Sequence, residues 1–205
     1  KPTTEVDVTI HGDDIWELLF TSGTTSMPKA SMTSHSYSYL SGYVYGLSLT
    51  RGLKYETDLV YVTFLPIVYH CGHNSTVMVA ALAGGTVVIG RRPDEQALAQ
   101  AITREKATAI WAGSPQWVEK LVQVAEQRPD VDLSSLTVVM FSWGAMKPDL
   151  GQRLKKVVGD HVQMLEVFGQ TESMSCYRFW PEANPAHFAE SLRGINHVGR
   201  PTPLL

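Results

Sequence analysis

The chain has 205 residues, of which 44% are hydrophobic, which is enough to bury a core and predicts a single domain. A formal net charge of −3 excludes the broad basic surface that nucleic-acid binding needs, so we expect no nucleic-acid partner. Two cysteines are too few for a disulfide scaffold, and a reduced, cytoplasmic setting fits best.

Residues 1–12 are mostly polar and lead into an apolar run, Ile15–Phe20, that predicts the first strand. The chain begins with Lys1 rather than Met, so we expect it to be part of a longer polypeptide. We assign residues 1–33 to this lead-in strand and the loop after it, ahead of a core that begins at residue 34.

The loop after the first strand carries the strongest chemical signal in the chain. Phosphate oxygens need backbone N–H groups, hydroxyl donors and a cation, and this loop supplies all three around one glycine. A flexible Ser/Thr/Gly linker is the alternative, but Pro28-Lys29 stiffens the backbone and fixes the position of the charge. The predicted phosphate-binding residues are Thr21, Ser22, Gly23, Thr24, Thr25 and Lys29.

A helix is predicted after the loop. Ser34 can cap a helix that runs from about His35 to Leu49. Its four tyrosines, at positions 37, 39, 43 and 45, are expected to pack against a sheet rather than to hold a cofactor.

The middle of the chain alternates apolar runs with helical periodicity, which predicts a repeated βαβ pattern. Strands rich in Val, Ile and Thr joined by helices imply an α/β fold, with a mostly parallel sheet flanked by helices on both faces. This pattern fills residues 34–180 and is lost in residues 181–205, which are predicted to form a loop leading to a further subdomain. The predicted strands are Leu59–Leu65, Thr86–Ile89, Thr108–Trp111, Thr137–Phe141 and Gln163–Val167, and the predicted helices are Asn74–Ala83, Pro93–Arg104, Pro115–Gln127 and Pro148–Val158.

The stretch from Leu59 to Gly90 contains no Asp, Glu, Lys or Arg, yet breaking and polar residues between Pro66 and Asn74 interrupt it. It therefore lacks the roughly 20 consecutive apolar residues of a membrane-spanning helix. We predict a buried strand, turn and helix here, and no transmembrane segment.

Ligands of parallel α/β sheets bind outside the carboxyl ends of the strands. Four segments with chemically useful side chains directly follow predicted strands: Thr21–Lys29, Pro66–Asn74, Ser142–Met146 and Phe168–Glu172. We therefore expect these four segments to meet at one edge of the sheet and to form the functional site.

The segment Phe168-Gly169-Gln170-Thr171-Glu172 follows the last predicted strand. The aromatic face of Phe168 can stack on a planar ring, and Gly169 lets the backbone come close. The Thr171 hydroxyl can bond a phosphate oxygen, and Glu172 offers the hard oxygen ligand that Mg²⁺ prefers. The alternative is a helix N-terminus in which Thr171 is the cap and Glu172 favours the helix dipole.

Thr-Ser-Gly-Thr-Thr-x-x-Pro-Lys, ending at Lys29, resembles the phosphate-loop signature of the adenylate-forming superfamily: acyl-CoA synthetases, luciferases and the adenylation domains of peptide synthetases. Phe168–Glu172 resembles the aromatic-Gly-x-Thr-Glu motif of the same family. Ser26 and Ala30 depart from it, because each stands where the family has glycine. The resemblance implies catalytic roles for Lys29, Thr171 and Glu172, with Glu172 as the Mg²⁺ ligand, and adds Gly144, Ala145, Phe168, Gly169 and Gln170 to the ATP/AMP contacts.

The resemblance also implies an acyl-substrate pocket, to which we assign Tyr69, His70 and Trp143. Pro66–Gly72 resembles the family's Pro-x-x-His-x-x-Gly segment. Gap-free counting places Tyr69 on the histidine position, whereas a bulge at the end of the strand would place His70 there. At least one of His70 and His73 is expected to be buried and hydrogen-bonded. Trp143 replaces a glycine of the family, which predicts either a shortened pocket or a tryptophan turned into the core.

By resemblance, the parent enzyme would use ATP and Mg²⁺ to convert a small-molecule carboxylic acid into an acyl-adenylate, and would then transfer the acyl group to coenzyme A. Transfer to a carrier protein, and a nucleotide-binding or interaction module without turnover, stay open as alternatives. The subdomain that precedes the phosphate loop in the family, and its small C-terminal domain, are expected to lie outside this chain. A homodimer is left open.

Overall fold

The structure, a computed structural model, describes residues 4, 6–21, 27–191 and 196–202. A seven-stranded sheet forms its centre, and a separate ribbon of two antiparallel strands, β1 and β2, stands beside it. The strands are β1 Ile15–Phe20, β2 Ala30–Ser34, β3 Val60–Thr63, β4 Thr86–Ile89, β5 Ala109–Trp111, β6 Val138–Phe141, β7 Gln163–Gln170, β8 Ser173–Phe179 and β9 Arg200–Pro201.

The order of strands in the large sheet is β4-β3-β5-β6-β7-β8-β9. The first five of these run parallel, and β8 and β9 are added antiparallel to one edge. The sheet is therefore mostly parallel, as predicted.

Helices connect the parallel strands. Ser34 caps the first helix, because its side chain accepts a hydrogen bond from the Tyr37 N–H. Asp94 caps the helix Glu95–Glu105 in the same way, by accepting a hydrogen bond from the Ala97 N–H. A six-residue π-helix, His73–Met78, joins the short helices His70–Gly72 and Val79–Leu82. One continuous helical segment therefore runs from residue 70 to residue 82. The α-helices are α1 His35–Leu49, α2 His70–Gly72, α3 Val79–Leu82, α4 Glu95–Glu105, α5 Pro115–Gln127, α6 Pro148–Val158 and α7 Pro185–Glu190.

Apolar packing covers both faces of the sheet. Successive residues of a strand point to opposite faces, so Ile110 joins the cluster that α4, α5 and α6 bury, while Ala109 and Trp111 join the cluster buried under α1 and α3. Because strands β5 and β6 are buried on both faces, their sequences are continuous apolar runs rather than alternating ones. The predicted α/β architecture is confirmed.

Several predicted details were wrong. Pro93 precedes its helix, which begins at Glu95 after the Asp94 cap, and the helix predicted from Asn74 begins at residue 70. Tyr45 is buried, but Tyr39 and Tyr43 are half exposed and stack on each other instead of on the sheet. Strands β2, β8 and β9 and helix α7 were not predicted, because their short, mostly polar sequences lack the apolar run of a buried strand or the periodicity of a long helix.

No helix within the described residues is long and apolar enough to cross a bilayer.

Candidate active site

The predicted phosphate loop connects the two strands of the ribbon. Phe20 pairs with Ala30, and the Thr21 N–H donates to the Lys29 carbonyl at 2.9 Å, so these two residues close the base of the loop. The Lys29 side chain is exposed there, with no helix or sheet packed over it in the described residues. The predicted contacts Ser22, Gly23, Thr24 and Thr25 lie outside the described residues, as does Ser26.

The second predicted motif lies at the tip of another hairpin. Strand β7 continues through Gln170, which pairs with Ser173, and Thr171 and Glu172 form the two-residue turn between β7 and β8. The motif is thus strand and turn, and the prediction of a segment that follows the strand was wrong. The alternative of a helix N-terminus is excluded by the same observation.

The side chains of this hairpin tip are open to ligands. Phe168 is 50% exposed, and its ring lies 6.2 Å from that of Tyr177 on the neighbouring strand. Gly169, Gln170 and Glu172 are exposed, and Thr171 is half-buried. An exposed aromatic face, a glycine and a carboxylate therefore stand together, as a nucleotide site needs.

The two hairpins meet. The Ser31 hydroxyl of β2, next to the base of the phosphate loop, donates to the Thr171 carbonyl at 3.4 Å across 140 residues of sequence. The fold therefore brings the two predicted nucleotide motifs, one before the sheet and one at its end, to a common place.

A cavity of about 510 Å³ lies at this junction. Its wall consists of β1, the turn after β3, the carboxyl ends of β5 and β6, and the tip of β7. Its volume is in the range of small-molecule sites, and its position outside the carboxyl ends of parallel strands is where such sheets bind ligands.

Trp143 stands on the surface of this cavity. Its backbone has a left-handed conformation, with φ of 61°, and its side chain is 66% exposed. The ring stacks on Trp111 with centroids 5.7 Å apart, and Trp111 is held by a 2.9 Å hydrogen bond from its Nε1 to the Ser75 hydroxyl. The alternative in which Trp143 turns into the core is therefore wrong. Gly144 and Ala145 follow it and are half-buried.

Tyr69 and His70 occupy different environments. Strand β3 ends at Thr63, and its register with both neighbours shows no bulge. Tyr69 is 59% exposed and lines the cavity, whereas His70 is 6% exposed and contacts the carboxylate of Glu17. One histidine is therefore buried and hydrogen-bonded, as expected.

Sequence reasoning missed Glu17. It lies on β1, and its two carboxylate oxygens contact His70 and His73. No sequence signal links a glutamate to histidines more than fifty positions away, and only its place in an otherwise apolar strand marks it as unusual.

Burial shapes the electrostatics of the site. Burial lowers the pKa of His70, against an opposing effect of the adjacent Glu17 carboxylate. Desolvation raises the pKa of the neighbouring Cys71 thiol to about 11, so this cysteine is a poor nucleophile at neutral pH. In β7, before the motif at its tip, burial raises the pKa of Glu166 to about 7. That side chain lies on the face of the strand opposite to the cavity.

The donor set at the hairpin tip fits a Mg²⁺ ion bound together with nucleotide. Mg²⁺ keeps several waters and uses one or two carboxylates plus substrate phosphates. Glu172 supplies one exposed carboxylate beside the Thr171 hydroxyl. Within the described residues there is no group of three His, Cys, Asp or Glu side chains that could hold a metal by themselves, so the phosphates would have to complete the coordination.

Comparison with known proteins gives a consistent result. The model of the AMP-binding enzyme family matches residues 1–205. The chain is 28% identical over 167 residues to the 2-hydroxy-7-methoxy-5-methyl-1-naphthoate–CoA ligase of Streptomyces carzinostaticus. This match covers 81% of the chain and 29% of that enzyme. It is 30% identical over 190 residues to the probable acyl-activating enzyme 21 of Arabidopsis thaliana, which covers 89% of this chain and 33% of that protein. The chain spans about a third of the length of these curated relatives.

Solved structures share the fold. The o-succinylbenzoate coenzyme A synthetase (MenE) of Bacillus subtilis, in complex with ATP and magnesium ion, superimposes with a TM-score of 0.76. The match covers 99% of this chain and 39% of that chain, at 19% sequence identity. At this identity the likeness supports the fold alone.

Proposed function

The chain belongs to the AMP-binding enzyme family, and from that premise we propose that the complete protein activates a carboxylic acid with ATP. A carboxylate oxygen attacks the α-phosphorus, the bond to the pyrophosphate oxygen breaks, and acyl-adenylate and pyrophosphate are the products. The observation that carries this proposal is the contact between the Ser31 hydroxyl and the Thr171 carbonyl, because a contact between the strand after the phosphate loop and the second motif supports a shared nucleotide site.

Each motif has a role in this reaction. Lys29 and the hydroxyl groups of the loop at residues 21–25 hold the departing pyrophosphate, and the Thr171 hydroxyl bonds the α-phosphate. Phe168 stacks on the adenine, with Gly144, Ala145, Gly169 and Gln170 along the nucleotide. Glu172, together with the phosphates, would hold Mg²⁺, and the ion would supply charge neutralisation, which with positioning provides most of the catalysis of such phosphoryl chemistry.

We assign the cavity at the hairpin junction to the acid. Tyr69, Trp143 and Phe20 are exposed aromatic residues in its wall, and the buried His70 also lines it. The stacked pair of Trp143 and Trp111 presents a flat apolar surface, which favours a compact, planar acid over a long flexible one. The similarity to a naphthoate–CoA ligase supports the same substrate class.

For the second half-reaction we propose coenzyme A as the acceptor. Its thiol sulfur attacks the acyl carbonyl, AMP leaves, and the thiol proton is lost to solvent. The names of the naphthoate–CoA ligase and of other similar CoA ligases support coenzyme A as the acceptor.

Pyrophosphate exchange by the complete protein tests the first half-reaction. We expect labelled pyrophosphate to be incorporated into ATP only when an acid is present. In a panel that also contains short, medium and long aliphatic acids, we expect the enzyme to prefer aromatic acids. The absence of exchange with every acid would contradict the activity. Adding coenzyme A should then yield an acyl thioester, and an acyl-adenylate that accumulates without reacting with coenzyme A would instead indicate a carrier protein.

A further inference from the structure

A cluster of one half-buried carboxylate, one buried imidazole and one half-buried imidazole lies beside the cavity. Glu17 Oε1 is 2.5 Å from His70 Nε2, and Glu17 Oε2 is 2.6 Å from His73 Nε2. The Thr33 hydroxyl donates a third hydrogen bond, to Glu17 Oε1, at 3.1 Å. These are direct hydrogen-bond distances, which leave no space for a metal ion between the carboxylate and the rings.

The geometry determines where the protons of His73 lie. Its Nδ1 is 3.1 Å from the Tyr69 carbonyl, and its Nε2 faces the Glu17 carboxylate, so each ring nitrogen faces an oxygen acceptor. One proton must therefore lie on Nδ1, and a second must be shared between Nε2 and the carboxylate. Glu17 is thereby held by His73 from one side and by Thr33 and His70 from the other.

The ring of His70 is held through one nitrogen only. Its Nε2 contacts Glu17, whereas its buried Nδ1 makes no hydrogen bond within the described residues and lies near the backbone of Thr171. Rotation of the ring would break the contact with the carboxylate. The orientation of His70, and with it the fit of the ring between Thr171 and the cavity wall, depends on Glu17.

The cluster also joins two separate parts of the fold. The ribbon of β1 and β2 shares no strand pairing with the seven-stranded sheet in the described residues, and an isolated two-stranded ribbon is marginally stable. Glu17 on β1 and Ser31 on β2 provide polar links from the ribbon to the helical segment and to the β7–β8 turn.

We infer that Glu17 and His73 are positioning residues, which lock the ribbon carrying the phosphate loop, the cavity wall and the turn at Thr171 into one arrangement. The catalytic part of this inference rests on the proposed function, because that function places the acid and the nucleotide against the ribbon, the cavity wall and the turn at Thr171. Glu17 and His73 themselves contact neither ligand in this scheme.

The hydrogen-bonding part of the inference is tested without any activity. Long-range ¹H–¹⁵N spectra of the complete protein with ¹⁵N-labelled histidine report which ring nitrogens carry protons. We expect a protonated Nδ1 on His73 and a slowly exchanging proton at the Glu17 contact. Glu17→Gln keeps the size of the side chain but replaces one acceptor oxygen by a donor, so the signals of His70 and His73 should both shift. Unchanged signals of both rings in Glu17→Gln would overturn the inference.

The catalytic part is tested by pyrophosphate exchange. We expect Glu17→Gln to lower kcat about tenfold or more, with a much smaller change in the KM for the acid, because misplaced phosphate contacts act on the transition state. His73→Gln retains a donor that can reach Glu17 and should keep more activity than His73→Ala, which retains none. The matched control is His35→Gln, since the His35 ring packs edge-to-face on Trp16 of the same ribbon and, within the described residues, makes no hydrogen bond or ion pair with the cluster.

A purely structural role predicts a different result. It would lower the yield or the melting temperature of the variants but leave kcat per folded enzyme unchanged, and that outcome for both Glu17→Gln and His73→Ala contradicts the inference. If Glu17→Gln fails to fold, the two His73 variants decide. If the unmodified protein exchanges pyrophosphate with no acid, the proposed function fails, and the histidine spectra still decide whether the cluster is held as described.

Discussion

The central sheet and the ribbon of β1 and β2 are stabilised in different ways. Strands β5 and β6 are fully buried between two apolar clusters. In the ribbon, by contrast, Leu18 and Phe20 are more than half exposed, and the inward-facing Glu17 is held by hydrogen bonds. The sheet depends on the area of apolar contact, which no single polar contact controls. The ribbon depends on a few directional contacts, and it carries the phosphate loop, so single substitutions there should affect activity more than stability.

The largest effect is expected at the turn that meets the ribbon. Glu172→Ala should lower the rate of acid-dependent pyrophosphate exchange by about 10²- to 10³-fold. In enzymes generally, removal of one group that stabilises developing charge has an effect of this size. The melting temperature should stay the same, because the Glu172 side chain is exposed. Glu119→Ala, an exposed glutamate on α5, is the matched control. Near-normal exchange by Glu172→Ala would refute the assigned role of Glu172.

The opposite pattern is expected in the sheet's apolar layer. Leu121 on α5 is fully buried, and Leu121→Ala should reduce the free energy of unfolding by about 3–4 kcal/mol through lost burial and the cavity left behind. Leu47→Ala on α1, where the side chain is 65% exposed, should cost well under 1 kcal/mol. Chemical denaturation measures both. Equal losses would mean that the exposed leucine is covered in the complete protein.

The pH dependence of stability should separate Glu166 from the exposed carboxylates. Burial raises the pKa of Glu166 to about 7, so the folded protein binds this proton more tightly than the unfolded chain does. The contribution of Glu166 to the free energy of unfolding is fully present below about pH 4.5 and is lost as the pH rises through about 7. The total loss is on the order of 3 kcal/mol. Glu166→Gln should remove this slope, which denaturant midpoints at several pH values between 4.5 and 8 will measure. Glu172→Gln should retain it.

The smallest effect is expected on substrate choice. Trp143→Gly removes the ring that stacks on Trp111 and relieves the left-handed backbone at this position. We expect the ratio of kcat/KM for long over compact acids to rise about tenfold. Trp143→Ala also removes the ring but retains a side chain with φ of 61°, so it separates the effect of the ring from that of the backbone. An unchanged acid preference in both variants would contradict the assignment of Trp143 to the pocket.

The parallel strands could be predicted from the sequence because each contains a run of apolar residues, and β5 and β6 are buried on both faces. Strands β3 to β7 therefore appear in the sequence with ends that are correct to within three residues. The ribbon's second strand, Ala-Ser-Met-Thr-Ser, and the edge strand β8 are half polar and pair at the margin of the fold. Their pairing is decided by tertiary contacts that a local pattern does not contain.

The candidate site divides in the same way. Lys29, Phe168 and Thr171 could be found because they lie in contiguous motifs with a recognisable order. The contact of Glu17 with His70 and His73 could not, because it joins two elements through one half-buried carboxylate and follows no fixed spacing. The exposure of Trp143 was also not predictable, since this residue has a left-handed backbone and its ring packs against Gly113 and Trp111, which are distant in sequence.

The π-helix His73–Met78 has a consequence for how this protein can diverge. A π turn contains one residue more than an α turn, so the segment accommodates an extra residue without turning its two ends relative to each other. Deleting one residue after His73 would restore α geometry and leave His70 and the buried Val79 facing the ribbon and the sheet as before. Related sequences that lack this residue should therefore retain the contact of His70 with Glu17. This part of the chain can thus vary in length by one residue without loss of the cluster.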